Sequence, residues 1–595
     1  MKKLLRTLTA GILMMAMTVS LCSCLHVDLV YDETETTSAI QESTSTAREE
    51  TTAQTTETVS DTGESTSAQT GGESSLIPKY HEIDYDAFKD DCEALEALGT
   101  SGSFDDVIAL YEELHDRFVE ISDNAYAAYI EYSADVTDEA LNEAMESSDY
   151  ELTECYDALL SALHELSTGS FGEDLEEYFG DEIFELIADY EEMTDEQLER
   201  EQRITELVSE YQTLSAELYD PYDLSVLAEQ AAPIYLELVK LRNLTAKEAG
   251  YDNYAEYAYV EAFGREYSEE DVNEFRKAVK SAGSNMFSTY YDFFSYYYYY
   301  GDDEDVLTVS ECLTILEKYA DRIDPIAGES VEYLLTNDLY DIAEGSQRLD
   351  SSYTVELSKS PFIFINFDEY YNLDTLTHEF GHFTAMHNNE NPDLLFYGSD
   401  LDISEIHSNG LELLYSHYYD EIYGADSADS HTLSLVLSGL VDDIIYGCLV
   451  DEFEWTVYEN PDMTADELNS LFSRLEREYG DPYGNEGYFW SAIGHIFESP
   501  LYYISYAVSY IGALQIWEQS LDDFEGACGT WASLIKDYNV NTDYYFDVID
   551  GIGLIPFTEK DKIASLLSDI TDWCDDATGK ITGRSDYSNM FNSLP

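Results

Sequence analysis

Helical periodicity is the feature that most narrows what this chain can fold into. The stretches Phe104 to Ile121, Thr137 to Leu166 and Asp195 to Leu218 carry apolar residues three and four apart among many acids, the spacing that lays one apolar stripe along a helix. Strand patterns are scarce. The clearest is Pro361-Phe362-Ile363-Phe364-Ile365-Asn366-Phe367, a β-rich run opening on proline, which reads as an edge strand because proline withholds a backbone donor. These patterns imply a mainly helical fold with a small β element. Neither G-x-x-x-x-G-K-[ST] nor G-x-S-x-G occurs, so nucleotide hydrolysis and an α/β-hydrolase mechanism lose support.

At 595 residues and 44% hydrophobic content, the chain can bury one large core or two to three ordinary ones. Its charge is the outlier: 125 Asp and Glu against 27 Lys and Arg leave a formal net charge of -98. Such a surface repels phosphate backbones, so nucleic acid is not an expected partner. Its simplest meaning is a soluble monomer, and the sharper one is attraction of cationic peptides. The aromatic run Tyr296 to Tyr300, preceded by Tyr290, Tyr291, Phe293 and Phe294, reads first as helix packing and second as a peptide-stacking surface. Asp302 to Asp305 reads as a solvated turn, since the glycine and ligand spacing of a calcium loop is missing.

Residues 1–23 have the layout of a secretory signal, with Lys2, Lys3 and Arg6 before the apolar stretch Leu8 to Leu21. The ending Leu21-Cys22-Ser23-Cys24 resembles a bacterial lipobox. That resemblance implies cleavage before Cys24, lipidation of its thiol, and an extracytoplasmic protein touching the membrane only through its N-terminal lipid. Residues 24–76 are almost wholly Thr, Ser, Glu, Gln, Gly and Ala from Asp32 to Ser75. They form an expected flexible tether, holding the body on the order of 30 to 40 Å from the membrane. Cys92, Cys155, Cys312, Cys448, Cys528 and Cys574 lack C-x-x-C spacing; buried thiols are the first reading, with one or two disulfides open.

The chemistry-bearing run is His378-Glu379-Phe380-Gly381-His382. It lacks proline and follows Asn372 and Asp374, either of which can cap a helix. At 3.6 residues per turn His378 and His382 project from one face, a turn apart, where two imidazoles can share a zinc ion. Glu379 lies beside them, rotated by about 100°, placed to take a proton from a metal-activated water. Such a site needs a third ligand from another element, and Glu405 is the candidate in Asp402-Ile403-Ser404-Glu405-Ile406-His407-Ser408. A rival triad of His378, His382 and His387 lacks the G-x-x-H spacing of metzincins. His387 and His407 are near enough to touch substrate, whereas His417 and His431 read as packing or surface residues.

Thr375 to His382, followed by Glu405-Ile406-His407-Ser408 and Glu412, resembles the thimet oligopeptidase and oligoendopeptidase F family of zinc metallopeptidases. The resemblance implies His378, His382 and Glu405 as ligands of one Zn2+ per chain, Glu379 as general base, and Glu412 as a carboxylate supporting a ligand histidine. Gly494 to Ala507 resembles the family's His-then-tyrosines segment, implying that His495, Tyr503 and Tyr506 reach the substrate and the oxyanion. The spacing leaves Tyr502 as an alternative to Tyr503. The resemblance is sharp over Pro361 to Glu412 and Gly494 to Trp517, and elsewhere rests on length and helical pattern. Angiotensin-converting-enzyme-like dipeptidases and Taq-type carboxypeptidases share the ligand order.

The family likeness implies a two-lobed helical zincin fold with a deep channel, an N-terminal lobe over residues 77–240 and a catalytic lobe over 241–595. It further implies a zinc metalloendopeptidase cleaving short peptides, which pair by β-addition with the strand Pro361 to Phe367. A different class stays in view: a lipid-anchored peptide- or solute-binding protein without catalysis, since lipobox plus linker also tethers such proteins.

Overall fold

The computed structural model describes residues 76–583, apart from 191–192, 220–222, 301–306, 346, 350, 368–371, 390–394, 397–399, 426 and 484–486. The signal, Cys24 and the tether before residue 76 lie outside the described residues, as does the acidic stretch Asp302 to Asp305.

The expected helices are present, with ends set by capping. Three long helices packed on one another open the fold: α1 (Tyr85–Ser101), α2 (Phe104–Ala134) and α3 (Glu139–Ser167). A capping box at Ser103 starts α2, and the Asp138 side chain caps α3, so that helix begins after Thr137. A second capping box at Thr194 starts α4 (Asp195–Leu218), which packs on α5 (Ser225–Glu248). Then follow α6 (Glu269–Tyr300), α7 (Val309–Ile323) and α8 (Pro325–Thr336). After a small sheet come α9 (Asn372–Asn388), α10 (Leu401–Tyr415), α11 (Ala428–Glu459), α12 (Ala465–Tyr479), α13 (Ile504–Asp522), α14 (Phe524–Lys536) and α15 (Lys560–Thr582). Helix α11 is long and apolar enough to cross a membrane, yet most of it is buried within the protein as a core helix.

Three strands form the sheet: β1 (Tyr340–Ala343), β2 (Ser352–Glu356) and β3 (Pro361–Asn366). The run Pro361 to Phe367 is not the edge strand its opening proline suggests. Strand β3 is central, parallel to β1 on one side and antiparallel to β2 on the other. Pro361 is tolerated because it is the first residue of the strand, at the last pair with Glu356. The outer strands are β1 and β2, neither of which the sequence pattern announced.

The sheet lies between two buried clusters. Phe362 and Phe364 point with Tyr353 and Val355 into a core built by α1, α2 and α3, while Ile363, Ile365 and Ile342 point into the larger core from Leu207 onward. Strand alternation thus joins the two cores, and each large apolar side chain so buried contributes about 1.5 to 3 kcal/mol. Along the chain the first cluster runs to Tyr190 and later takes in side chains from Tyr353 to Phe364, Leu395 and Phe396, while the larger one begins at Leu207. Residue 240, the lobe boundary expected from the resemblance, lies inside α5.

The six described cysteines are buried and unpaired; burial raises each thiol, Cys92 and Cys155 to about 12. Tyr290, Tyr291, Phe293, Phe294 and Tyr297 pack into or against the larger core and meet neighbouring rings: Phe293 against Tyr297 at 5.7 Å, Tyr290 against Phe294 at 4.4 Å, and Tyr291 against Tyr483 at 5.0 Å.

Candidate active site

Two helices meet backbone to backbone to build the site. Helix α9 carries His378, Glu379 and His382, and α10 carries Glu405 and Glu412. Gly381 permits their approach: a Cβ there would stand 2.6 Å from Ser408 Cα and 2.7 Å from the His407 carbonyl oxygen. Leu376, Phe380 and Phe383 on α9 anchor it in the larger core. Trp531 on α14 donates its indole N–H to the His407 carbonyl at 2.9 Å, which steadies α10 from behind.

Three candidate donors converge. Glu405 Oε2 lies 3.3 Å from His378 Nε2 and 3.4 Å from His382 Nε2, and one donor atom from each residue falls within 4.8 Å of the others. A tetrahedral ion with ligands at about 2.0 to 2.1 Å separates its donors by about 3.3 Å, so the set fits zinc. His382 Nε2 is buried with no hydrogen-bond partner, as a nitrogen poised to give its lone pair to a metal would be. Burial lowers the His382 pKa and keeps the ring in the neutral form that ligates.

The surrounding groups orient these donors. Glu412 Oε2 lies 3.4 Å from His378 Nδ1, so the carboxylate can accept the Nδ1 proton and leave Nε2 facing Glu405. Glu405 has both oxygens engaged: Tyr502 donates to Oε1 at 3.1 Å and Ser408 to Oε2 at 2.9 Å. Burial alone would raise its carboxyl, but His382 and His378 outweigh that and hold it well below the usual range. Glu379 is fully buried. Its Oε2 accepts from the Thr354 hydroxyl on β2 at 2.8 Å, and its Oε1 has no hydrogen-bond partner. Burial pushes Glu379 up to about 8 and Glu412 to about 7. Buried carboxyls beside imidazoles are the arrangement a dication relieves.

A third element closes the site. His495 and the tyrosines before and within α13 form one cluster: the His495 ring lies 5.2 Å from Tyr502, 5.3 Å from Tyr503 and 6.0 Å from Tyr506. Tyr506 OH is 3.4 Å from His495 Nε2. Of the two tyrosines the spacing left open, Tyr502 is the one bound to Glu405, and Tyr503 stays beside His495. His387 stands apart, stacked on Tyr333 at 4.2 Å; His417 meets Ser520 and His431 stacks on Tyr423. His407 is buried on α10, its pKa lowered to about 3, first by burial. Ser408 was legible as the residue three beyond Glu405 on one helix face. Thr354 was not, since nothing marked β2 as a strand.

The profile described as "Peptidase family M3" matches residues 340–530, which hold the sheet and every candidate site residue named above, and "Peptidase M3 N-terminal domain" matches residues 78–191. Together they span about half of the chain. The chain belongs to peptidase family M3. It is therefore a metallopeptidase, with the helical zincin fold of its M3 neighbours. Among solved structures, PZ peptidase A with an inhibitor aligns at 22% identity and TM-score 0.70, covering 84% of this chain and 99% of that one. A putative oligoendopeptidase F from Bacillus anthracis aligns at 21% and 0.70, over 85% and 99%. Oligoendopeptidase-F from Enterococcus faecium aligns at 14% and 0.51, over 84% and 98%. At such identities these M3 likenesses speak for the fold alone. No curated protein sequence matches the chain.

Proposed function

We propose that this M3 peptidase is a zinc metalloendopeptidase of the oligopeptidase type, a monomer hydrolysing short peptides, with one zinc held by His378 Nε2, His382 Nε2 and Glu405 Oε2. A zinc ion there supplies a Lewis acid for the scissile carbonyl and acidifies the attacking water. Glu379 receives the water's proton at Oε1 while Thr354 holds Oε2, and it passes the proton to the leaving amine. His495, Tyr503 and Tyr506 donate to the oxyanion of the tetrahedral intermediate. The peptide lies along an outer strand of the sheet, for which β2 is the candidate because Thr354 on it already contacts Glu379. The reading extends to location: export, lipidation at Cys24 and a tether over residues 24–76 meet peptides outside the cytoplasmic membrane.

The observation that supports this most is the convergence of His378, His382 and Glu405 beside a buried Glu379 with one oxygen unpartnered. Its test is Glu379→Gln. Elemental analysis should find one zinc per chain in both proteins, while cleavage of a quenched peptide, chelator-sensitive in the wild type, falls by 10²- to 10⁴-fold or more, roughly the span of general-base contributions. Near-normal cleavage by the variant would overturn the mechanism, and no cleavage by the zinc-loaded wild type would favour a binding protein.

A further inference from the structure

Leu501, between Pro500 and Tyr502, has φ of +69°, a left-handed conformation that a leucine keeps only where its surroundings impose it. It is fully buried. Its N–H donates to Glu454 Oε2 at 3.0 Å, and its carbonyl accepts from Arg265 Nη2 at 2.8 Å. The same Nη2 reaches Ser505 Oγ at 3.0 Å, so one guanidinium spans the turn and the first turn of α13. At the other end of the turn, the Phe497 carbonyl accepts from Arg242. All three side chains are buried. They come from elements other than α9 and α10: Arg242 from α5, Glu454 from α11, and Arg265 from the segment after the π-helical turn Ala258–Ala262. The Arg265 guanidinium lies over the rings of Tyr259 at 4.4 Å and Phe263 at 4.3 Å, which fixes its plane.

Burying two guanidinium charges, and a carboxyl that burial pushes well up towards its neutral form, costs desolvation that a merely structural contact could avoid with apolar side chains. Glu454 and Arg265 grip the residue before Tyr502, whose hydroxyl donates to Glu405 Oε1, while Arg242 holds the Phe497 carbonyl upstream. A backbone rotation at Leu501 would swing Tyr502 and Tyr503 together. We propose that Glu454 and Arg265 are positioning residues that hold Leu501 left-handed, with Arg242 bracing the chain at Phe497, and so, through Tyr502, fix the Glu405 carboxylate as a metal ligand. The proposal rests on the reading that Glu405 ligates zinc.

Two measurements on the full chain separate the parts. Zinc affinity, read by chelator competition, is compared among wild type, Tyr502→Phe, Arg265→Met and their double variant. Each single change is expected to weaken zinc binding about 10-fold, as loss of a group orienting a ligand does. The double variant should be no weaker than the singles, because both break one chain of contacts. Adding Leu501→Gly to Arg265→Met should restore most of the affinity, since glycine takes positive φ without support. Hydrogen exchange over residues 497–506 reads the turn whatever metal is bound, and Arg265→Met should speed it about 10-fold or more. Arg265→Lys, which keeps the charge with fewer donors, should shift both readouts the same way by less, and it carries the test if Arg265→Met does not fold. Unchanged exchange, unchanged zinc affinity, or effects that multiply in the double variant would overturn the proposed frame. Faster exchange in a protein whose wild type takes up no zinc would overturn the metal reading and with it the link to Glu405.

Discussion

Glu379 has one carboxylate oxygen tied to Thr354 and one unpartnered, both in the interior. A base is better placed when only one oxygen can swing toward water, and the Thr354 hydroxyl supplies that asymmetry from a different element. Removing it by Thr354→Val keeps the side-chain shape and leaves Glu379 Oε2 buried without its donor. A hydrogen bond to a charged group is worth about 1.5 to 3 kcal/mol. If half or more of that is felt in the transition state, kcat falls about 10-fold with zinc content unchanged. Steady-state kinetics with elemental analysis check this, and equal kcat in both proteins would show that Thr354 only packs. The tyrosines are legible at this scale only in part. The count from His495 leaves Tyr502 and Tyr503 open, because a side chain's direction depends on the backbone at Leu501, where φ is +69°.

Helices α9 and α10 approach so closely that Gly381 faces backbone, with no flexible side chain to move aside. A methyl group there must push the helices apart. Gly381→Ala should therefore cost about 1 to 3 kcal/mol of stability as overpacking does, and it should weaken zinc binding, because His382 adjoins it and Glu405 sits one turn before Ser408. Thermal melts and chelator competition read the two effects, and a variant with wild-type values would show that the helices have slack. Helix α3 offers a pH test. Burial raises the Asp149 carboxyl from the ordinary 3.8 to about 6, so the native state resists an ionisation that the unfolded chain undergoes freely. Stability from this group is intact below about pH 4 and is lost as pH rises towards about 6. Asp149→Asn should accordingly stabilise the protein at pH 8, by on the order of 1 to 3 kcal/mol, and by little at pH 4; denaturant unfolding at both pH values measures the difference.

Across the whole molecule, a net charge of -98 makes self-repulsion a standing load on the compact state. Salt screens it, the Debye length falling from about 10 Å at 0.1 M to about 3 Å at 1 M. The melting temperature should thus rise by a few degrees between low and high sodium chloride; a flat or falling curve would mean that favourable ion pairs such as Arg200 with Glu248 dominate the surface instead. What the sequence by itself determined was local: the stripes that became α2, α3 and α4, the capping residues that start them, and the two histidines one turn apart on α9. Each depends on residues within a turn or two of one another, and backbone geometry alone relates them. The need for a third ligand pointed to Glu405, and the family likeness added Glu412 to that set. Only the tertiary structure decided the rest. Strand β3 became central because β1 and β2 flank it, a matter of pairing that a proline at its start does not reveal. Thr354 meets Glu379 across 25 residues, Tyr502 meets Glu405 across 97, and Arg265 meets Ser505 across 240. Such contacts carry no local signature, since their residues become neighbours only when the two cores close around the sheet.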